Sequence, residues 1–214
     1  MGHGILVIPA AALEGLRRIA YMQGSRGGPC RPARRLIMNL FLRLIRVIVS
    51  ARFRQRLEIL GTSSVSFVVW PHDLDLNFHM NNGRYLTIAD LGRMDLVSRT
   101  GILGLMLKRR WAPVVAMASI RFRASLLPFQ RYRLHTRVVC WDEKWVYMEQ
   151  RFERKGQTVA LAYVKGLFRA QKRTLRSREI LAALGQQQRS PHMPPALEAL
   201  KLAEGLTAEK PGRI

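Results

Sequence analysis

The stretch Trp70-Pro71-His72-Asp73-Leu74-Asp75-Leu76-Asn77-Phe78-His79-Met80-Asn81-Asn82-Gly83-Arg84-Tyr85 sets the reading of the whole chain. It follows Val65 to Trp70, a run of β-branched and aromatic residues that predicts a strand ended by Pro71. It precedes a pattern that predicts a helix from about Asn82 to Val97, with Asn81 or Asn82 as its N-cap. If residues 73–79 are extended, Asp73, Asp75, Asn77 and His79 point to one side and Leu74, Leu76 and Phe78 to the other. The apolar trio then anchors the segment, while a carboxylate, an amide and an imidazole converge beside a helix start. Free backbone N–H groups there stabilise a developing oxyanion. Such a set suits hydrolysis at a carbonyl carbon. The spacing Asp73-x-Asp75-x-Asn77 also imitates the opening of a calcium loop, but Phe78 stands where that loop needs Gly and Arg84 where it needs Glu.

Beyond the helix, which resumes after Gly101 as Ile102 to Lys108, four strands are expected: Val114 to Arg123, Arg131 to Trp141, Lys144 to Arg154 and Gln157 to Arg169. The second alternates, with Tyr132, Leu134, Thr136 and Val138 on one face and Arg131, Arg133, His135 and Arg137 on the other. Asp142-Glu143 and Lys155-Gly156 supply turns between antiparallel neighbours. Residues 61–170 therefore read as one α+β domain with an antiparallel sheet. The tail, 171–214, is weakly helical at Ser177 to Leu184 and then loses its pattern among prolines.

Upstream, residues 38–60 carry a basic amphipathic helical pattern that begins near Arg34. Asn39, Arg43, Arg46, Ser50 and Arg54 form a polar stripe beside a broad apolar face. The segment is too short and too rich in arginine to span a bilayer. Two readings stand: a helix lying in the membrane interface with its guanidinium groups on lipid phosphates, or a helix packed on its own domain or on a partner subunit. Residues 1–37 read as a flexible extension built around Gly24-Ser25-Arg26-Gly27-Gly28-Pro29, with a true start at Met38 as the alternative. Without a basic segment before Ile5 to Leu13, a cleaved export signal is not expected. The location expected is cytoplasmic, peripheral on the membrane if the helix lies there.

Composition bounds the rest. With 214 residues, 48% hydrophobic and 23% charged, the chain is neither a fibre, nor wholly disordered, nor a multi-span membrane protein. Its 36 basic against 14 acidic side chains, a net charge of +22, favour an anionic partner. No nucleic acid is expected, because the aromatics fall in no RNA-binding motif. Cys30 and Cys140 are too few for a disulfide framework or a zinc cluster. Neither metal-ligand spacing nor Gly-x-Ser-x-Gly occurs, so no metal, cofactor or serine nucleophile is expected.

The run Asp73-Leu74-Asp75-Leu76-Asn77-Phe78-His79-Met80-Asn81-Asn82-Gly83-Arg84-Tyr85 resembles the signature of the hotdog-fold acyl thioesterases. It is most similar to the acyl-ACP thioesterases and the thioesterase superfamily member 6 group. The similarity continues through Asp90-Leu91-Gly92-Arg93, Ile120-Arg121-Phe122-Arg123, Trp141-Asp142 and Tyr147 to Phe152. The resemblance implies a long central helix wrapped by an antiparallel sheet, a homodimer with sites at the subunit interface, and a part in fatty acid metabolism. It also implies active-site roles for Asp75, Asn77 and His79. On this footing the substrate is an acyl-CoA or acyl-carrier-protein thioester. Its carbonyl is held by N–H groups near Asn82 and Gly83, its acyl chain lies beside Leu86, Ile88 and Ala89, and Arg121 and Arg123 either meet the carrier phosphates or simply form a solvated strand face. No acidic residue stands in 114–123 to serve as a second carboxylate. A catalytically weak acyl-binding or membrane-associated scaffold is the alternative.

Overall fold

The computed structural model describes residues 31–207 apart from Lys172, with side chains described from Asn39 onward. Residues 1–30, including Cys30, and the end of the tail lie outside the described residues. The elements are α1 (Arg31–Phe53), β1 (Ser63–Val68), a 3-10 turn (Pro71–Asp73), α2 (Asn82–Arg99), α3 (Ile102–Arg109), β2 (Trp111–Phe122), β3 (Arg131–Trp141), β4 (Val146–Arg154), β5 (Gln157–Ala170), β6 (Arg173–Thr174), α4 (Ser177–Ala183) and α5 (Pro195–Thr207). The sheet is antiparallel in the order β1-β3-β4-β5-β2, with β6 on the end of β5. It curls around α2, as the sequence leads one to expect.

The alternation of β3 explains the wrap. Tyr132, Leu134, Thr136 and Val138 are buried, and Arg131, Arg133 and Arg137 are exposed on the other face. The core joins Tyr132 and Leu134 to Phe67, Phe152, Tyr85, Ile88 and Ala89. Helix and sheet approach closely at Gly92, where an added Cβ would lie 2.6 Å from both Leu134 Cδ2 and Thr136 Oγ1. A polar tie sits beside it. The fully buried Gln150 amide donates to Ala89 O (2.8 Å) and Thr136 Oγ1 (3.1 Å), and its Oε1 accepts from Arg93 (2.6 Å). On the face of the sheet turned away from α2, Leu197 of α5 packs on Cys140 and Tyr147.

The polar stripe upstream turns inward, the placement of the second reading, a helix packed on its own domain. Arg43 is buried and pairs with Asp73 (2.6 Å), and Arg54, just past α1, pairs with the fully buried Asp95 of α2 (3.2 Å). Buried carboxylates without such cations would be strongly disfavoured, so Arg43 and Arg54 face the domain beside Leu40, Leu44 and Val47, which pack on its core. Arg46 and Arg54 also donate to Ser66 O (2.8 Å) and Ser64 O (2.6 Å) of β1. These bonds satisfy outward carbonyls of an edge strand that would otherwise invite pairing. Among the described residues, no helix is long and apolar enough to cross a membrane.

Candidate functional site

The decisive loop is not extended. Leu74 and Met80 form an antiparallel bridge that closes residues 75–79 into a tight loop, with the Asp75 N–H donating to His79 O (2.8 Å) and the Phe78 N–H to Asp75 O (3.2 Å). Phe78 adopts φ 57°, left-handed backbone that costs a bulky residue about 1–2 kcal/mol. The expected alternation therefore fails. Leu74 packs on the core, but Leu76 (98% exposed) and Phe78 (73% exposed) do not anchor the segment. Hydrogen bonds do so instead: Met80 N–H to Leu126 O and Asn81 N–H to Asp73 O, both 2.8 Å.

The turn gives the two aspartates different surroundings. Asp73 is fully buried, receiving Arg43 (3.2 and 2.6 Å), Arg84 (3.0 and 2.8 Å) and the Trp70 N–H (2.9 Å). Burial alone would raise its carboxyl, but the Arg43 and Trp70 hydrogen bonds and the Arg43 charge outweigh it and hold it below the usual carboxylate range. Burial also lowers the neighbouring His72, against the pull of Asp73. Asp75 is half-buried; its Oδ1 accepts from the N–H groups of Asn77 (2.9 Å) and His79 (3.2 Å). Its Oδ2 makes no hydrogen bond among the described residues.

A pocket of about 330 Å³ opens beside it, lined by Asp75, His79, Asn82, Tyr85, Phe122 and Arg123 among others. Four of the expected site residues, Asp75, His79, Asn82 and Arg123, meet there. Asn77, Gly83 and Arg121 do not line it; Asn77 enters through its backbone N–H on Asp75. Asn81 is the N-cap of α2, and its side chain takes the Gly83 N–H (2.8 Å) while its carbonyl takes that of Arg84 (2.9 Å). The Gly83 N–H is thus committed, while Asn82, the first residue of α2, lines the pocket. Tyr85, whose hydroxyl burial pushes up to about 12 against a hydrogen bond from the Leu126 backbone, stays neutral there.

The expected path of an acyl chain is also corrected. Ile88 and Ala89 are fully buried in a filled core, and of that trio only Leu86 reaches the surface. An apolar cavity of about 280 Å³ lies farther along α2, lined by Met94, Val97, Val114, Met148, Leu167 and Phe168. None of the expected catalytic residues lines it. Residues of both α2 and β2 line each space, so a seam between the two elements joins them: Asn82 and Phe122 at one end, Val97 and Val114 at the other, with β3 to β5 and α4 closing the apolar cavity. Arg93 sits on this seam, bound to Asp90 and Gln150, and burial pulls its guanidinium down to about 10. It remains a cation at neutral pH. Arg43, Arg84, Tyr85 and the apolar cavity were not legible as site elements, because each depends on contacts between segments distant in sequence.

A family profile described as the thioesterase-like superfamily matches residues 69–200. The chain is 41% identical over 113 residues to Protein THEM6 of Xenopus laevis, covering 52% of this chain and 55% of that protein. It is 31% identical over 119 residues to "Probable thioesterase YBR096W" of Saccharomyces cerevisiae, covering 54% and 51%. The chain thus spans about half the length of the curated relatives it matches. Among solved structures it is similar in fold to YbaW, titled a probable thioesterase, from Escherichia coli, with TM-score 0.54, 21% identity and coverage of 58% of this chain and 96% of that one.

Proposed function

The chain belongs to the thioesterase-like superfamily and has its hotdog fold, and from this premise we propose that it hydrolyses a fatty acyl thioester of coenzyme A or acyl carrier protein to the free acid and the thiol. One observation carries the reading: Asp75 is fixed through Oδ1 by two backbone N–H groups, with Oδ2 unengaged, in a pocket that begins at the start of α2. Relatives named as thioesterases support the same chemistry. The carbonyl oxygen lies against the Asn82 N–H, where the helix dipole favours developing negative charge. Asp75 accepts a proton from water as the water oxygen bonds to the carbonyl carbon. The C–S bond then breaks, and the proton passes to the departing sulfur, with His79 as its relay. Direct attack by Asp75 through a mixed anhydride reaches the same products once water cleaves the anhydride. Asn77 acts by closing the turn that holds Asp75.

The acyl chain follows the α2–β2 seam toward the apolar cavity, and Arg123, with Arg121 two residues before it, meets the carrier's phosphates. The charge of +22 suits both carriers. We further propose a homodimer formed through β2. Arg46 and Arg54 cover β1, whereas β2 pairs only with β5 among the described residues and offers a twelve-residue edge rich in Val and Ala.

The test is release of free thiol from acyl-CoA and acyl-carrier-protein substrates across acyl lengths, for wild type, Asp75→Ala and Asp75→Asn. Loss of turnover in both variants supports the assignment, and undiminished turnover removes Asp75 from the mechanism. A second reading, an acyl-binding scaffold, draws on Asp75 being the one carboxylate among the residues lining its pocket. It predicts stoichiometric acyl-CoA binding with no thiol released by wild type.

A further inference from the structure

Because the arginine stripe of α1 faces the domain, the helix turns a mostly apolar face outward. Phe41, Leu42, Ile45, Val49 and Phe53 are exposed, and nothing among the described residues covers them. Residues 41, 45, 49 and 53 recur every four positions, so they form one continuous strip along the helix. The strip is not purely greasy. Arg46 and Arg52 are exposed beside it, Arg56 follows just past the helix end, and the sequence Arg31–Phe53 holds six arginines and no acidic residue. A face evolved only for a second protein surface has no general need to exclude every carboxylate over 23 residues. A face that meets lipid phosphates does, because each acidic group there is repelled while each arginine is attracted.

We propose that α1 docks flat on an anionic bilayer, its apolar strip entering the boundary between headgroups and acyl chains, with Arg52 and Arg56 at its rim. The helix needs no span to do this, and its inner side stays bound to the domain through Arg43–Asp73 and Arg54–Asp95. Asp73 precedes Asp75 by two residues, so the docked helix and the loop of the pocket are held as one body. The inference stands independently of the thioesterase reading.

The experiment uses the full chain with vesicles of phosphatidylcholine, with or without phosphatidylglycerol, followed by flotation at low and high salt without substrate. Wild type is expected to float with the phosphatidylglycerol vesicles and to be partly released by salt. Leu42→Glu with Ile45→Glu weakens partitioning by about a hundredfold, since each lost apolar insertion is worth about tenfold. Arg52→Gln weakens it by about fivefold at low salt. Circular dichroism and hydrolysis of soluble acyl-CoA stay as in wild type, which separates lost docking from lost folding. A wild type that stays unbound on anionic vesicles overturns the proposal, as does a double variant that floats equally well. A double variant whose sedimentation coefficient falls while wild type ignores vesicles assigns the strip to a second copy and also overturns it.

Discussion

Two aspartates two residues apart should answer to the same substitution in opposite ways. Asp73→Asn keeps the shape of the side chain and removes its charge. In the wild type that fully buried carboxylate accepts five hydrogen bonds, four of them from guanidinium groups of Arg43 and Arg84 whose side chains are themselves only 9% and 16% exposed. Five charge-assisted bonds do not add, but removing one partner of a buried ion pair typically costs about 3–5 kcal/mol because the cation is left uncompensated. Against a typical domain stability of about 5–15 kcal/mol, that is a fifth or more of the total. Asp75→Asn leaves an oxygen that still accepts from the Asn77 and His79 N–H groups, at a half-exposed position without an ion pair. Its stability cost should stay within about 0.5–1 kcal/mol, while loss of a general base lowers turnover by about 10²–10⁴-fold. Urea denaturation monitored by tryptophan fluorescence gives the first quantity, and thiol-release kinetics without denaturant give the second. An Asp73→Asn protein as stable as wild type, or an Asp75→Asn protein that loses several kcal/mol, would refute the division of labour argued from the loop.

The remaining expectations follow the same contacts. Gly92→Ala should destabilise by about 1–3 kcal/mol by chemical denaturation, although alanine is the better helix former by about 1 kcal/mol, because its methyl meets Leu134 and Thr136 at 2.6 Å. The depressed Asp73 contributes stability that is full above its unfolded value near pH 4 and is lost as pH falls through its lower folded value; a stability–pH profile should show this acid limb, and Asp73→Asn should flatten it. Val97→Trp, which fills part of the 280 Å³ cavity, should leave short acyl-CoA substrates unaffected and reduce kcat/KM for long ones by about fourfold per excluded methylene. Lysines in place of Ala116 and Ala118 on the exposed run of β2 should yield monomers by sedimentation equilibrium.

Much of the fold was legible because its signals are local. The alternation from Tyr132 to Val138 chose the buried face of β3, Lys155-Gly156 marked the turn between β4 and β5, and Asn81 announced the start of α2. The loop was misread for an equally physical reason: alternation of apolar and polar residues at 73–79 fits a strand, but a bridge from Leu74 to Met80 and a left-handed Phe78 satisfy the backbone in a turn. Of the candidate site, the pocket collects Asp75, His79, Asn82 and Arg123 from positions quoted by sequence alone, and adds Tyr85 and Phe122 from across the helix–sheet seam.

The direction in which α1 faces is the sharpest case. A helix with one arginine-bearing side and one apolar side can be read from residue spacing alone. Which side meets the domain depends on what the domain offers, and it offers the carboxylates of Asp73 and Asp95 and the carbonyls of Ser64 and Ser66. These acceptors lie 10 to 41 residues away from the arginines that reach them. No periodicity within 23 residues encodes that match. Burying a charge is favourable only beside its partner, so the tertiary structure alone decided that Arg43 and Arg54 point in, alongside Leu40, Leu44 and Val47, while Phe41, Leu42, Ile45 and Phe53 point out.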